Sequence, residues 1–176
     1  IAEKQICTLQ AVFRGPAGHA SMPIRGGAMA RLARALQALD AASLPVHVTP
    51  AVKLMIDSLA ARLPGLTGRL LRQLGNPAMT DFLLDRLGKR VEIFAPLLHN
   101  TVSPTMLAAS DKVNVIPCEV SLGLDGRLVP GGTPQQMEAE LRALLGPDFD
   151  LEILAAEPGP AEPNLELFER LADALR

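Results

Sequence analysis

Residues 5–13, QICTLQAVF, are apolar or β-compatible and end at Arg14-Gly15-Pro16, which predicts a strand running into a bend. After Gly26-Gly27 the period changes: in AMARLARALQALDAA, Leu32, Leu36 and Leu39 recur at helical spacing while Arg31 and Arg34 fall off that stripe. Residues 51–93 are leucine-rich and read as short helices, AVKLMIDSLAARL, GLTGRLLRQL and PAMTDFLLDRLGKR, broken at Pro64-Gly65 and Gly75-Asn76-Pro77. Further on, Cys118, Val120, Leu122 and Leu124 alternate with Glu119, Ser121, Gly123 and Asp125, the mark of a half-buried strand, and Arg127 shares the parity of the polar set. The run from Asn100 to Ala108 supplies a partner strand that turns back at Ser110-Asp111.

Thr133 as N-cap, Pro134 at the first helical position and Gln136 completing a capping box start another helix. Met137, Leu141, Leu144 and Leu145 form its buried face, Gly146 stops it, and DFDLEILAA is the last strand. Without the central insertion the order is β-α-β-β-α-β. That predicts an α+β, ferredoxin-like sandwich, a four-stranded antiparallel sheet with two helices on one face. The expected organisation is one domain over residues 1–156, with the helical insertion at about 51–93. A proline-rich linker and the start of a helix belonging to a neighbouring domain follow at 157–176. The opening IAEKQ leads straight into a strand and the closing LELFERLADALR stops inside an amphipathic helix, so a segment of a larger protein is expected.

Composition narrows the partners. A net charge of −2 and a pI near 5.9, with no basic block, give no footprint for a nucleic-acid backbone. No apolar run reaches the roughly 18–20 residues of a membrane span. Arginine outnumbers lysine thirteen to four, which points to a high-GC bacterial source and a cytoplasmic enzyme. Cys7 and Cys118 both sit in strand-like apolar segments and read as reduced core cysteines.

His19, His47 and His99 are scattered, and none has a carboxylate at a ligand offset, so no metal site is expected in this chain. Ser21, two residues from His19 on a loop, has poor geometry for a nucleophilic triad. Taken singly, His19 reads as a bend residue bonded to backbone, His47 and His99 as structural, Asn114 as a turn closer and Arg127 as a solvated strand residue.

Four stretches in order, GPAGHASMP, NTVSPTML, KVNVIP and DGRLVPGGTPQQ, resemble the lid, or dimerisation, domain of the zinc-dependent metallopeptidase family twenty. Aminoacylase, acetylornithine deacetylase, succinyl-diaminopimelate desuccinylase and glutamate carboxypeptidase belong to that family. The resemblance runs from about Gln5 to Leu154, and EPNLELF resembles the point of return to the catalytic domain.

The resemblance implies a homodimer through the lid, by an edge strand or the helix of residues 27–41, and two zinc ions held in a separate catalytic domain. It implies that His19 steadies the oxyanion of the tetrahedral intermediate in the partner's site, and that Asn114 and Arg127 hold the substrate carboxylate. The substrate would be a small N-acyl amino acid or peptide. The long insertion resembles the larger lids of carboxypeptidase-like members. The competing expectation is a ferredoxin-like small-molecule-binding or purely dimerising module with no catalytic role.

Overall fold

The computed structural model describes residues 3–157, 159 and 164–174. Strand β1 (Gln5–Arg14) alternates strictly, with Cys7, Leu9, Ala11 and Phe13 buried on one face and half-buried residues between them. It is one of two inner strands of the sheet. On one side it pairs antiparallel with β5 (Glu119–Leu128), from Gln5↔Leu128 to Arg14↔Glu119. On the other it pairs antiparallel with β6 (Asp150–Ala156). Strand β3 (Thr101–Ala108) pairs antiparallel with the far side of β5, giving the order β3-β5-β1-β6. A register shift between Pro104 and Met106 marks β3 as an edge, where a residue lacking an N–H is tolerated.

Helices α1 (Ala28–Ala41) and α6 (Pro134–Leu145) cover one face of the sheet, with Leu32, Met137 and Leu141 packed against Leu9, Phe13 and Leu124. This is the expected β-α-β-β-α-β sandwich. Thr133 caps α6 by accepting from the Gln136 backbone N–H at 3.2 Å. The return half of the expected capping box is not made: the Gln136 amide lies 3.4 Å from His47 Nδ1 instead, drawn off by a polar partner from the insertion. Gly126 is required by close approach, since a Cβ there would meet the Cys7 carbonyl oxygen at 2.5 Å.

The insertion is longer than its leucine pattern suggests. Thr49 caps α2 (Pro50–Ala61), then come α3 (Gly65–Gln73), α4 (Pro77–Leu87), two 3-10 turns and α5 (Ala95–Leu98). These helices surround their own apolar cluster of Val52, Ile56, Leu74, Leu83 and Leu98, separate from the sandwich core. Where the insertion leaves the sandwich its two ends meet in a bridge between Val46 and His99, with the His47 N–H donating to the Leu98 carbonyl at 2.6 Å.

Cys7 is buried and Cys118 is exposed, both as free thiols. The core reading of Cys118 is thus corrected: pairing with β1 ends at Arg14↔Glu119, so Cys118 lies one residue beyond the ladder. Of the proline-rich stretch, residues 158 and 160–163 lie outside the described residues; a last helix, α7, covers Phe168–Ala174. Among the described residues no helix is long and apolar enough to cross a membrane.

Candidate functional site

After β1 the chain bends at Gly15, whose backbone N–H donates to the Cys118 carbonyl at 2.8 Å. A Cβ at Gly15 would meet the Ala28 nitrogen at 2.5 Å, so only glycine lets the end of β1 pass this close to the start of α1. The chain then forms β2 (Gly18–His19), which pairs antiparallel with β4 (Val115–Ile116) through Gly18↔Ile116 and His19↔Val115. The Ala20 N–H donates to the Asn114 carbonyl at 3.0 Å, continuing the ladder. Two distant motifs, GPAGHASMP and KVNVIP, therefore meet at one corner, with His19 and Asn114, 95 residues apart in sequence, both exposed there. Sequence periodicity gives no sign of these two-residue strands.

Around His19 the loop closes on itself. The Met22 N–H donates to the His19 carbonyl at 2.9 Å. Ser21 Oγ lies 2.7 Å from His19 Nδ1, and the Ser21 backbone N–H donates to that nitrogen at 3.3 Å. No hydrogen bond to Nε2 is formed among the described residues. The ring is thus held by the bend itself, through one backbone N–H, as the bend reading expects, and through the Ser21 hydroxyl, and among the described residues no carboxylate completes a triad.

Arg127 is placed elsewhere. It lies on β5 opposite Ile6 of β1 and Thr101 of β3. Eight residues of extended chain separate it from Glu119 at the His19 end, about 26 Å at 3.3 Å per residue. One chain therefore brings His19 and Asn114 together and holds Arg127 apart. The Arg127 guanidinium is half-exposed and forks onto Asp125, with Nε–Oδ1 at 3.0 Å and Nη2–Oδ2 at 3.1 Å. Nearby, Lys4 Nζ donates to the His99 carbonyl at 3.0 Å and to Thr101 Oγ1 at 2.9 Å. Burial first, and the Arg127 charge second, lower the Lys4 ammonium to about 8.

The other two histidines belong to the framework. His99 is buried and its Nδ1–H donates to the Leu44 carbonyl at 2.5 Å, while Nε2 faces Asp81 at 3.3 Å. His47 Nε2 lies 2.7 Å from Glu140 Oε1, and Asn100 donates to Glu140 Oε2 at 2.9 Å while accepting from the Val129 N–H at 2.9 Å. Glu140 is the hub that the sequence reading missed. Its one signal is a carboxylate on the buried stripe of α6, three residues from Met137 and one from Leu141. Among the described residues no group of three or more His, Cys, Asp or Glu converges to hold a metal ion, and the side chains of those residues do not fit a zinc site.

Residues 1–150 match the family model of the M20 peptidase dimerisation domain. Over 167 residues the chain is 25% identical to the human N-fatty-acyl-amino acid synthase/hydrolase PM20D1, which covers 93% of this chain and 33% of that protein. The Bos taurus protein of the same name is 27% identical over the same shares. The chain thus spans about a third of the length of these curated relatives. Among solved structures, human carnosine dipeptidase 1 is similar with a TM-score of 0.54 at 18% identity, over 97% of this chain and 40% of that one. A hydantoinase/carbamoylase family amidase from Burkholderia ambifaria is similar with a TM-score of 0.51 at 14% identity, over 99% of this chain and 34% of that one. These two likenesses speak for the fold alone. The family match covers most of the sandwich, both of its layers and the corner that carries His19 and Asn114; the chain belongs to the M20 peptidase dimerisation domain family.

Proposed function

We propose that this chain is the lid and dimerisation domain of a dizinc amidohydrolase that cleaves the acyl or peptide bond of a small N-acyl amino acid or peptide beside its free carboxylate. The zinc ions belong to a separate catalytic domain, to which the stretch from residue 157 through α7 leads back, and no step here is routed through them. His19 donates a hydrogen bond to the oxyanion forming in the partner subunit's site. Asn114 and Arg127 contact the substrate carboxylate, for which the guanidinium fork is suited.

The observation that carries this reading is the β2–β4 ladder, which holds an exposed imidazole, its Nε2 without a hydrogen bond among the described residues, beside Asn114. Such preorganisation is what an oxyanion donor needs, and one donor of this kind contributes about 3–4 kcal/mol to the transition state. The activity of the curated relatives, a synthase/hydrolase of N-fatty-acyl amino acids, agrees with an N-acyl amino acid as substrate. The distance of Arg127 from the corner adds a condition. A small substrate touched by His19 and Asn114 of one subunit meets Arg127 of the other, so the homodimer is part of the site.

The test is made in the full-length enzyme. A His19→Ala subunit is paired with a subunit inactivated at its zinc ligands. Donation in trans gives about half the wild-type activity per mixed dimer, because the intact zinc site receives its histidine from the metal-dead partner. Mixed dimers as inactive as both parents refute donation in trans. A purely dimerising module predicts that His19→Ala alone leaves kcat untouched.

A further inference from the structure

A neutral imidazole offers one N–H and one lone pair, and the contact made by one ring nitrogen decides what the other presents. At His19 that contact is made by a single residue. The Ser21 backbone N–H can only donate, and it points at Nδ1 from 3.3 Å. A proton on Nδ1 would set donor against donor, so Nδ1 carries the lone pair, the Ser21 hydroxyl donates to it at 2.7 Å, and the ring proton sits on Nε2. The loop keeps Ser21 in place: Ala20 is tied to Asn114, Met22 to the His19 carbonyl, and Ile24 folds back so closely that a Cβ at Gly18 would meet its Cδ1 at 2.8 Å.

We propose that Ser21 is a positioning residue, which holds His19 in the Nε2–H tautomer so that the ring offers a donor, not a lone pair, to the developing oxyanion. This rests on the oxyanion role given to His19 above. It also assigns the serine of the GHAS stretch a task other than nucleophile, since its hydroxyl proton is engaged on the wrong ring nitrogen for a triad that would use Nε2.

Long-range proton–nitrogen correlation spectra of this chain, ring-labelled with nitrogen-15, read the tautomer directly at neutral pH. Wild type should show His19 protonated at Nε2 and bare at Nδ1. Ser21→Ala keeps the longer backbone N–H contact but loses the 2.7 Å hydroxyl bond that favours a bare Nδ1, so it should bring protonation of Nδ1 into the population, and Ser21→Thr, which keeps the hydroxyl on an exposed loop, should restore the wild-type spectrum. In the full-length enzyme Ser21→Ala should lower kcat about five-fold with KM unchanged, the worth of one hydrogen bond, with rescue by threonine and no further loss on a His19→Ala background. If His19→Ala itself leaves kcat unchanged, the oxyanion reading fails and takes the catalytic role of Ser21 with it. If His19→Ala is slow but Ser21→Ala keeps both the spectrum and the wild-type kcat, only the positioning role is overturned. A wild-type His19 protonated at Nδ1 overturns it as well.

Discussion

Lys4 and Arg127 place two cations close together at the end of β5 away from His19, and each has a measurable consequence. The folded Lys4 ammonium titrates near 8 and the unfolded one near 10.5. Between these values the unfolded chain binds the extra proton, so the Lys4 contribution to stability rises with pH across this window. Below it both states are charged and the folded state carries the whole desolvation cost. The Cys7 thiol, raised by burial, acts in the opposite sense above pH 9, where the unfolded chain loses its proton first and stability falls. Urea midpoints of wild type and Lys4→Met separate the two, because Cys7 is common to both. Wild type should gain on the variant as pH rises from about 8 to 10.5, and parallel curves would mean that Lys4 is not desolvated. For Arg127→Ala in the full-length enzyme, kcat should change little while KM rises, because a carboxylate clamp holds ground state and transition state alike. The polar parity of Arg127 was legible in the strand pattern. Its fork onto Asp125 follows from the same parity, two residues along one face of β5.

The elements that announce themselves in the sequence are those with a period or a stop signal. Leu32, Leu36 and Leu39 mark α1, the alternation from Val120 to Leu124 marks β5, and Thr133-Pro134 marks the start of α6. The β2–β4 ladder has two residues per strand, too short for any period, and the resemblance named its two motifs without pairing them. The Glu140 hub was illegible for another reason: its partners His47 and Asn100 lie 93 and 40 residues away. Glu140→Ala leaves the buried Asn100 amide and the His47 ring without their acceptor and should cost about 1–3 kcal/mol in urea unfolding, with Glu140→Gln costing less. Gly15→Ala tests the other tight junction. Its Cβ would press on the Ala28 nitrogen, and a loss of about 1–3 kcal/mol is expected from the displaced backbone. A neutral substitution would show that the bend has room to move.

At the level of the molecule, the order β3-β5-β1-β6 puts β3 and β6 at the two edges, and β3 carries the exposed Met106 and Leu107, while Met29 at the start of α1 is exposed as well. Strand count and class were readable from the alternation, but which strand lies at the edge depends on pairings between distant segments that no local pattern encodes. We propose that the dimer contact lies at the β3 edge, where two sheets of four strands would join around a two-fold axis into one of eight. Sedimentation equilibrium should show a dimer that Leu107→Pro, which removes an N–H facing away from β5, or Met29→Glu weakens; a chain that stays monomeric at high concentration would contradict this assignment. In the mixed-dimer assay Asn114→Ala should complement as His19→Ala does, and Arg127→Ala should sort with the opposite subunit. The insertion has a further consequence through its narrow base. Its apolar cluster shares no buried residue with the sandwich core, and the two meet across the Val46–His99 bridge. Two cooperative units joined at a neck open separately. The amides of α2, α3 and α4 should therefore exchange with solvent deuterium through one common sub-global opening, at a lower free energy than those of β1 and β5. Exchange of both sets only through whole-chain unfolding would make them one unit. The same neck makes the insertion excisable: a two-residue turn joining residue 46 to residue 99 closes a hairpin already in register, leaving the corner of His19 where it is.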